Sequence, residues 1–323
     1  MLFRSADDER GRAFGIFSSM VTVLLLIGPA IGGLLTELLS WRWVFWITVP
    51  PAVLCLWRVK LPSAATTARI QIPHVDLPGL TTLTLSIATL SIALMQGREW
   101  GWASPAILCL FVVSIAAGVL FYVIESRSHA PLLDLALFRN KSVAAALMTM
   151  FMAQYKRVGT SIYLALFLRD GLGLSPLIAG IALVPTFALL PFTTLVIGQY
   201  ADRFGARIVM LIGIAVVGAS TFWMALASDI HSYWVLFPAL LVISCFQPTM
   251  FSPPRKAMMH SLPADLHAQI SGVSVTAQML GSTLTISVGS VLLTTTGATW
   301  PIFLVMGLAL AALWFVAYAW LDR

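Results

Sequence analysis

Residues 268–321 contain no Asp, Glu, Lys, Arg or His, and this long uncharged stretch restricts the fold strongly. A membrane-spanning helix needs about 20 mostly apolar residues, each adding about 1.5 Å, so the stretch is too long for one crossing. The run Thr-Thr-Thr-Gly at 294–297, followed by Trp300 and Pro301, predicts a turn between two spans. We therefore expect a chain that lies in a lipid bilayer.

The composition supports the same class. Apolar residues make up 59% of the chain and charged residues 10%, whereas soluble domains carry roughly 25% charged residues. So few charged side chains cannot cover the surface of a soluble globule of this size. Disorder is excluded as well, because it requires low hydrophobicity and high charge.

Charge and cysteine usage exclude further classes. The net charge is +6, but the basic residues are scattered singly between apolar runs, so we expect no nucleic-acid partner. The three cysteines lack metal spacing, and the chain has no Gly-Lys-Ser/Thr phosphate loop. We therefore expect no metal, no other cofactor and no enzymatic activity.

Continuous apolar runs without alternation predict helices rather than a barrel. The expected fold is an all-α integral membrane protein with about ten spans. The predicted spans are 13–38, 42–59, 77–97, 101–124, 142–168, 175–198, 207–228, 232–252, 269–293 and 299–321. The longest polar connections fall at about 60–76 and 125–141.

The distribution of basic residues predicts the orientation. With the N-terminus in the cytoplasm, the inner loops carry 14 Lys and Arg residues and the outer loops carry 3. Because cytoplasmic loops are enriched in these residues, we expect both termini to be cytoplasmic. The expected location is the plasma (inner) membrane, which the chain crosses several times.

The first span contains Gly28, Pro29, Gly32 and Gly33. Gly28 and Gly32 are four residues apart, so they share a helix face and would let another backbone approach closely. Pro29 removes one helix hydrogen bond and bends the span. The segment is therefore either a static packing notch or a bend at a moving helix interface.

A short reversal between the sixth and seventh spans covers residues 198–207. Asp202 is expected to cap the following helix, and Gly205 permits a positive φ. Arg203 and Arg207 can bond to Asp202 or to neighbouring helix ends. A well-capped turn and a functional loop both remain open. The residues singled out here are Gly198, Asp202, Arg203, Gly205 and Arg207.

The fifth span carries Gln154, Lys156 and Arg157 near its middle. A charge at bilayer depth is costly, so at least one of the two cations should face protein or a water-filled cavity. Pairing with an acid or with backbone carbonyls, attraction of an anionic substrate and an alternative register all remain open. Gln247 and Gln278 also lie inside spans, so the five residues are candidates for a translocation path, with interhelical hydrogen bonding as the alternative.

These motifs resemble those of the major facilitator superfamily, and specifically its fourteen-helix drug/proton antiporter branch. The pattern Gly-x-x-x-Asp-Arg-x-Gly-x-Arg at 198–207 is similar to the second-half copy of the family's signature cytoplasmic loop. The segment Gly-Pro-x-x-Gly-Gly at 28–33, with Ser-Trp-Arg-Trp-Val-Phe at 40–45, resembles the antiporter motif of the family's fifth helix.

The resemblance implies that the ten spans are the family's helices five to fourteen. Residues 1–60 would then be two helices of the N-terminal six-helix half, 61–124 an inner loop with a two-helix insert, and 125–323 the C-terminal half. Three positions depart from the family pattern, namely Leu24, Gln278 and Ala268.

The function that the resemblance implies is secondary transport by alternating access, in which small amphipathic compounds or drugs are exported in exchange for protons. The expected partners are the lipid bilayer, the transported compound and protons. Because four family helices lie outside this sequence, a truncated, non-transporting remnant or a membrane interaction subunit is the alternative. A complementing N-terminal fragment is a further candidate partner, and we expect no coupled transport by this chain alone.

Overall fold

The computed structural model describes residues 7–58, 76–127, 140–230, 232–263 and 266–320, and the regular structure of these residues is helical. The predicted all-α fold is confirmed, whereas the loops predicted at 60–76 and 125–141 lie largely outside the described residues. The helices are α1 Asp7–Leu38, α2 Trp43–Trp46, α3 Val49–Arg58, α4 Leu77–Trp100, α5 Pro105–Arg127, α6 Lys141–Leu166, α7 Pro176–Leu183, α8 Pro185–Ala188, α9 Leu190–Phe204, α10 Ala206–Ala227, α11 Tyr233–Phe246, α12 Ser252–Ser261, α13 His267–Thr296 and α14 Trp300–Trp320.

All ten predicted spans fall on helical segments. Within the described residues, seven helices are both long and apolar enough to cross a membrane. Two further apolar helices, Val23–Leu38 and Trp43–Trp57, are shorter. The tenth segment is α6, which has 26 residues and therefore sufficient length. Its hydropathy is lowered by the polar Gln154, Lys156 and Arg157.

Proline breaks explain why several spans are interrupted. The second predicted span divides into α2 and α3, and Pro50 and Pro51 fall in the first turn of α3, where the absence of an N–H is tolerated. The sixth divides into α7, α8 and α9, and the eighth divides into α11 and α12 with a 3₁₀ turn, Gln247–Met250, between them.

One hydrogen bond satisfies the backbone at such a break. The amide of Leu189, between α8 and α9, donates to the hydroxyl of Ser244 on α11 over 2.8 Å. A backbone N–H freed from its helix is costly in a bilayer unless a neighbour accepts from it. Ser244 is fully buried, so α11 stabilises the interruption of the sixth span.

Helix α6 is central to the packing of the C-terminal region. It lies closely along α13 and also contacts α14 and α12. A Cβ at Gly281 on α13 would overlap the carbonyl oxygen of Phe151 on α6, so the two backbones meet there. The buried side of α6 includes Lys156. The helices that pack against α6 therefore form the surroundings of this lysine.

Helices α4 and α5 form a hairpin that packs against α13 through α4. Ser86 donates to the carbonyl of Ser114, and Ser114 donates to the carbonyl of Ser86, each over 2.9 Å. This reciprocal pair joins the two helices where apolar side chains alone would give little specificity. Asp76 begins the hairpin and accepts from the amide of Gly79 over 2.9 Å, which caps α4.

Candidate functional site

The closest approach between the first span and the C-terminal region joins α1 to α7. A Cβ at Gly33 would overlap the carbonyl oxygen of Pro176, and a Cβ at Gly180 would overlap that of Pro29. Each helix therefore contributes one glycine, and the backbones touch at two points one turn apart. Such contact requires small residues because any side chain would separate the helices.

The prediction that Gly28 and Gly32 form the close contact is wrong in this structure. A Cβ at either position would meet nothing within 4 Å. The contacting stripe on α1 instead follows Pro29 and Gly33. The cause is angular, because a shift of one residue rotates a helix face by about 100°.

The contact is concentrated at one end of the bundle. Helix α1 meets α7 closely but has few contacts with α8 and α9, which continue the same span. We call the end that holds Glu37 and the start of α7 the Glu37 end, and the opposite end, where Gly205 lies, the Gly205 end. Among the described residues, α1 is therefore joined to this span more closely at the Glu37 end than towards the Gly205 end.

The predicted loop at 198–207 forms a tight turn at the Gly205 end. Helix α9 ends at Phe204, Gly205 has φ +85°, and α10 begins at Ala206. The positive φ predicted for Gly205 is confirmed. A residue with a Cβ is strained in this conformation, which accounts for glycine at the turn.

The predicted capping role of Asp202 is wrong. No side chain caps α10, whose N-cap is Gly205. Asp202 instead forms an ion pair with Lys256 on α12, with 2.5 Å between Oδ1 and Nζ. Its position in the last turn of α9 directs the carboxylate towards the neighbouring helix. Lys256 Nζ also lies 3.4 Å from the carbonyl oxygen of Gly198.

The two arginines of the loop have different surroundings. Arg207 donates to the carbonyl of Tyr318, near the end of α14, over 3.0 Å. Its guanidinium also lies 5.7 Å from the centre of the Tyr318 ring. Arg203 lies over the ring of its neighbour Phe204. The prediction that these arginines reach a neighbouring helix end is confirmed for Arg207.

In the fifth span, Gln154 and Arg157 are brought together. Arg157 Nη2 donates to Gln154 Oε1 over 2.7 Å, and its guanidinium lies 5.4 Å from the centre of the Phe251 ring. Gln154 is buried, whereas Arg157 is partly exposed. Arg157 therefore has both an acceptor and an aromatic face as neighbours.

Lys156 lies in the interior. It is 1% exposed, and its Nζ has no hydrogen-bond partner among the described residues. It shares a helix face with the buried Ala153 and Thr160, and Ala153 packs among side chains of α10 and α14. In the sequence from 142 to 321 the only acidic residues are aspartates near the ends of predicted spans, which are Asp170, Asp202, Asp229 and Asp265.

The other predicted path residues lie on separate elements. Gln247, in the 3₁₀ turn, is 3% exposed, and its Oε1 has no partner among the described residues. Gln278 is partly exposed and donates to the carbonyl of Ser274 on its own helix over 3.1 Å. The described part of the chain contains no cluster of three or more His, Cys, Asp or Glu side chains that could hold a metal ion.

Two interacting residues were missed by sequence reasoning. Neither Lys256 nor Glu37 is part of a motif that marks it as a candidate site residue. Glu37 Oε2 accepts from the amide of Leu177 at the start of α7 over 2.8 Å. The signal available in the sequence was spacing, because Pro29, Gly33 and Glu37 follow one another at intervals of four residues.

Broken apolar helices and a glycine-mediated contact between two of them define the chain as a polytopic helical membrane protein. The family model described as "Major Facilitator Superfamily" matches residues 1–286 of the chain and, in a second alignment, residues 144–323. The chain therefore belongs to the Major Facilitator Superfamily, and the resemblance seen in its motifs is confirmed.

Curated relatives carry drug-resistance names. The chain is 30% identical to the "Methylenomycin A resistance protein" of Bacillus subtilis (strain 168), across 97% of this chain and 69% of that protein. It is 26% identical to "Multidrug resistance protein Stp" of Mycobacterium tuberculosis, across 88% of this chain and 53% of that protein. It is also 26% identical to "Probable multidrug resistance protein EmrY" of Escherichia coli (strain K12), across 83% of this chain and 52% of that protein. The chain thus spans about half to two thirds of these relatives.

Proposed function

We propose that the protein takes part in the export of small amphipathic compounds across the plasma membrane in exchange for protons. The observation that carries the proposal is the α1–α7 contact, which joins the first span to the C-terminal helices at the Glu37 end. Among the described residues, α1 contacts α9 less extensively than α7, and this asymmetry is the one expected of alternating access. The family membership and the names of the relatives support the same function.

The orientation follows from the distribution of basic residues. The Gly205 end would face the cytoplasm and the Glu37 end the outside, with both termini inside. The described conformation then corresponds to a protein closed on the outer side. We further propose the division into residues 1–60, 61–124 and 125–323, in which α1 and α7 meet across the boundary between two halves.

The compound would meet exposed apolar side chains of α6 and α13. Met148 on α6 and Val275 and Met279 on α13 are exposed and apolar. Arg157 and Gln278 are partly exposed on the same two helices, so they are our leading candidates for polar groups in the path. Gln154 would hold Arg157 in place, whereas Lys156 and Gln247 lie deeper.

Efflux of a lipophilic cationic dye tests the proposal in a bacterium that lacks its own drug exporters. One arm expresses the chain alone, and a second adds the part of the Bacillus subtilis relative that this chain does not cover. Efflux in either arm that a protonophore abolishes would support proton-coupled export. A Gly33→Trp variant should abolish it, because no side chain fits against Pro176, and Gly28→Ala is the matched control.

The outcome of the two arms separates the alternatives. Efflux only in the second arm means that the chain requires additional helices. Absence of efflux in both arms, at normal membrane expression, contradicts the proposal and favours an interaction subunit without transport activity.

A further inference from the structure

Glu37 forms a hydrogen bond across the interface between α1 and α7. Its Oε2 accepts from the amide of Leu177 over 2.8 Å. Ser175 is the N-cap of α7, and its Oγ accepts from the amide of Ile178 at 3.4 Å. Glu37 of α1 therefore contributes to the capping of α7, a helix of another span.

This contribution completes the first turn of α7. The first amides of a helix have no partner within the helix and must be satisfied by side chains or water. Pro176 has no N–H, Ser175 serves Ile178, and Glu37 serves Leu177. The negative charge of Glu37 also lies where the partial positive charge of a helix N-terminus favours it.

The position of Glu37 connects this cap to the backbone contact below it. Pro29, Gly33 and Glu37 lie on one stripe of α1 and meet Gly180, Pro176 and Leu177 in that order. Glu37 is the last of the three contacts and is exposed at the edge. Separation of the two helices at this end must break its bond to α7, and water can then satisfy the amide of Leu177.

We propose that Glu37 is a positioning residue that holds the Glu37 end closed, and that the protein opens this end when the Glu37 carboxylate leaves the start of α7. The assignment of this movement to a transport cycle rests on the proposed function. The cap itself is a property of the chain in any role. Its exposure lets water replace it, so the cap is reversible.

Spin-label distances test the proposal on the full chain in lipid nanodiscs. Labels are placed at Leu38→Cys and Ile181→Cys, which are exposed positions on either side of the interface, after Cys55, Cys109 and Cys245 are replaced by alanine. Glu37→Leu removes both charge and acceptor, Glu37→Asp retains the carboxylate, and Glu99→Gln is the control because Glu99 is an exposed acid elsewhere.

We expect Glu37→Leu to increase the ratio of long-distance to short-distance populations about fivefold, the change that loss of a typical N-cap interaction supports. Glu37→Asp should give a smaller increase, and Glu99→Gln should match the parent. An unchanged distribution in Glu37→Leu, with normal size-exclusion behaviour and helicity, would overturn the proposal. An equal shift in Glu99→Gln would also overturn it.

The measurement does not depend on transport, so the two proposals can fail separately. A shift in distance with no dye efflux in any arm would support the role of Glu37 and contradict the proposed function. Efflux with no shift in distance would support the proposed function and contradict the role of Glu37. Where efflux is present, we expect Glu37→Leu to reduce the maximal rate more than the half-saturating dye concentration, because the substitution alters opening rather than binding.

Discussion

Lys256 on α12 donates to Asp202 at the end of α9, and the two charged atoms are 2.5 Å apart. The pair joins the turn at Gly205 to a helix that is distant in sequence. Both side chains are partly exposed, at 37% for Lys256 and 66% for Asp202, and ion pairs of this kind contribute about 0–1 kcal/mol. The pair is therefore too weak to hold the bundle together but strong enough to bias two conformations.

The first prediction concerns this ion pair. We expect Asp202→Asn and Lys256→Gln each to reduce dye efflux severalfold while membrane expression and unfolding temperature stay near those of the parent. The double variant should cost little more than either single change, because the second substitution removes a partner already lost. Efflux and thermal unfolding are measured on the same preparations.

Arg255→Gln is the control for this prediction, because Arg255 is an exposed cation next to Lys256 on α12 and its replacement leaves the ion pair in place. Parent-like efflux in Asp202→Asn would exclude a role for the pair in switching. A fall in unfolding temperature that matches the fall in efflux would show that the pair acts only in stability.

The second prediction uses glycines of the same helix. Gly33→Ala places a methyl group against the carbonyl of Pro176, whereas Gly28→Ala and Gly32→Ala place one in open space. Overpacking costs typically about 1–3 kcal/mol, so Gly33→Ala should lower the unfolding temperature and loosen the α1–α7 contact. The two control variants should be neutral or slightly stabilising, because alanine is the better helix former. Equal effects in all three would refute the contact.

The motif at 28–33 shows how far sequence reasoning reached. The small residues and the proline correctly marked a helix interface, because only small residues permit close approach. The face was assigned wrongly, since the direction in which α7 crosses α1 depends on tertiary packing and not on the local pattern. Gly33 therefore makes the contact in place of Gly28 and Gly32.

The 198–207 loop shows a similar limit. The positive φ of Gly205 follows from local chemistry and was predictable. The partner of Asp202 was not, because Lys256 is 54 residues away in sequence and becomes adjacent only when α9 and α12 pack together. Local rules favoured a cap on the next helix, and the long-range ion pair formed instead.

The third prediction concerns orientation, which rests on the basic residues alone. A cysteine introduced at Ser5, with Cys55, Cys109 and Cys245 removed, should resist an impermeant thiol reagent in intact cells. A cysteine at Glu99, which is exposed at the far end of α4 from Asp76, should be labelled rapidly. Both sites should react after the cells are opened. Fast labelling at position 5 in intact cells would reverse the orientation.

The last prediction concerns Lys156, which is 1% exposed and has no hydrogen-bond partner among the described residues. Replacing a buried charge by an apolar side chain of similar volume is often neutral or stabilising by roughly 1–4 kcal/mol. We expect Lys156→Met to raise the unfolding temperature, because methionine fills the space and needs no acceptor. Lys256→Met, which removes an exposed and paired lysine, is the matched control and should give no such rise. A lower unfolding temperature for Lys156→Met would contradict this prediction. It would show that the ammonium of Lys156 is paired in the membrane with an acidic group or an anionic compound.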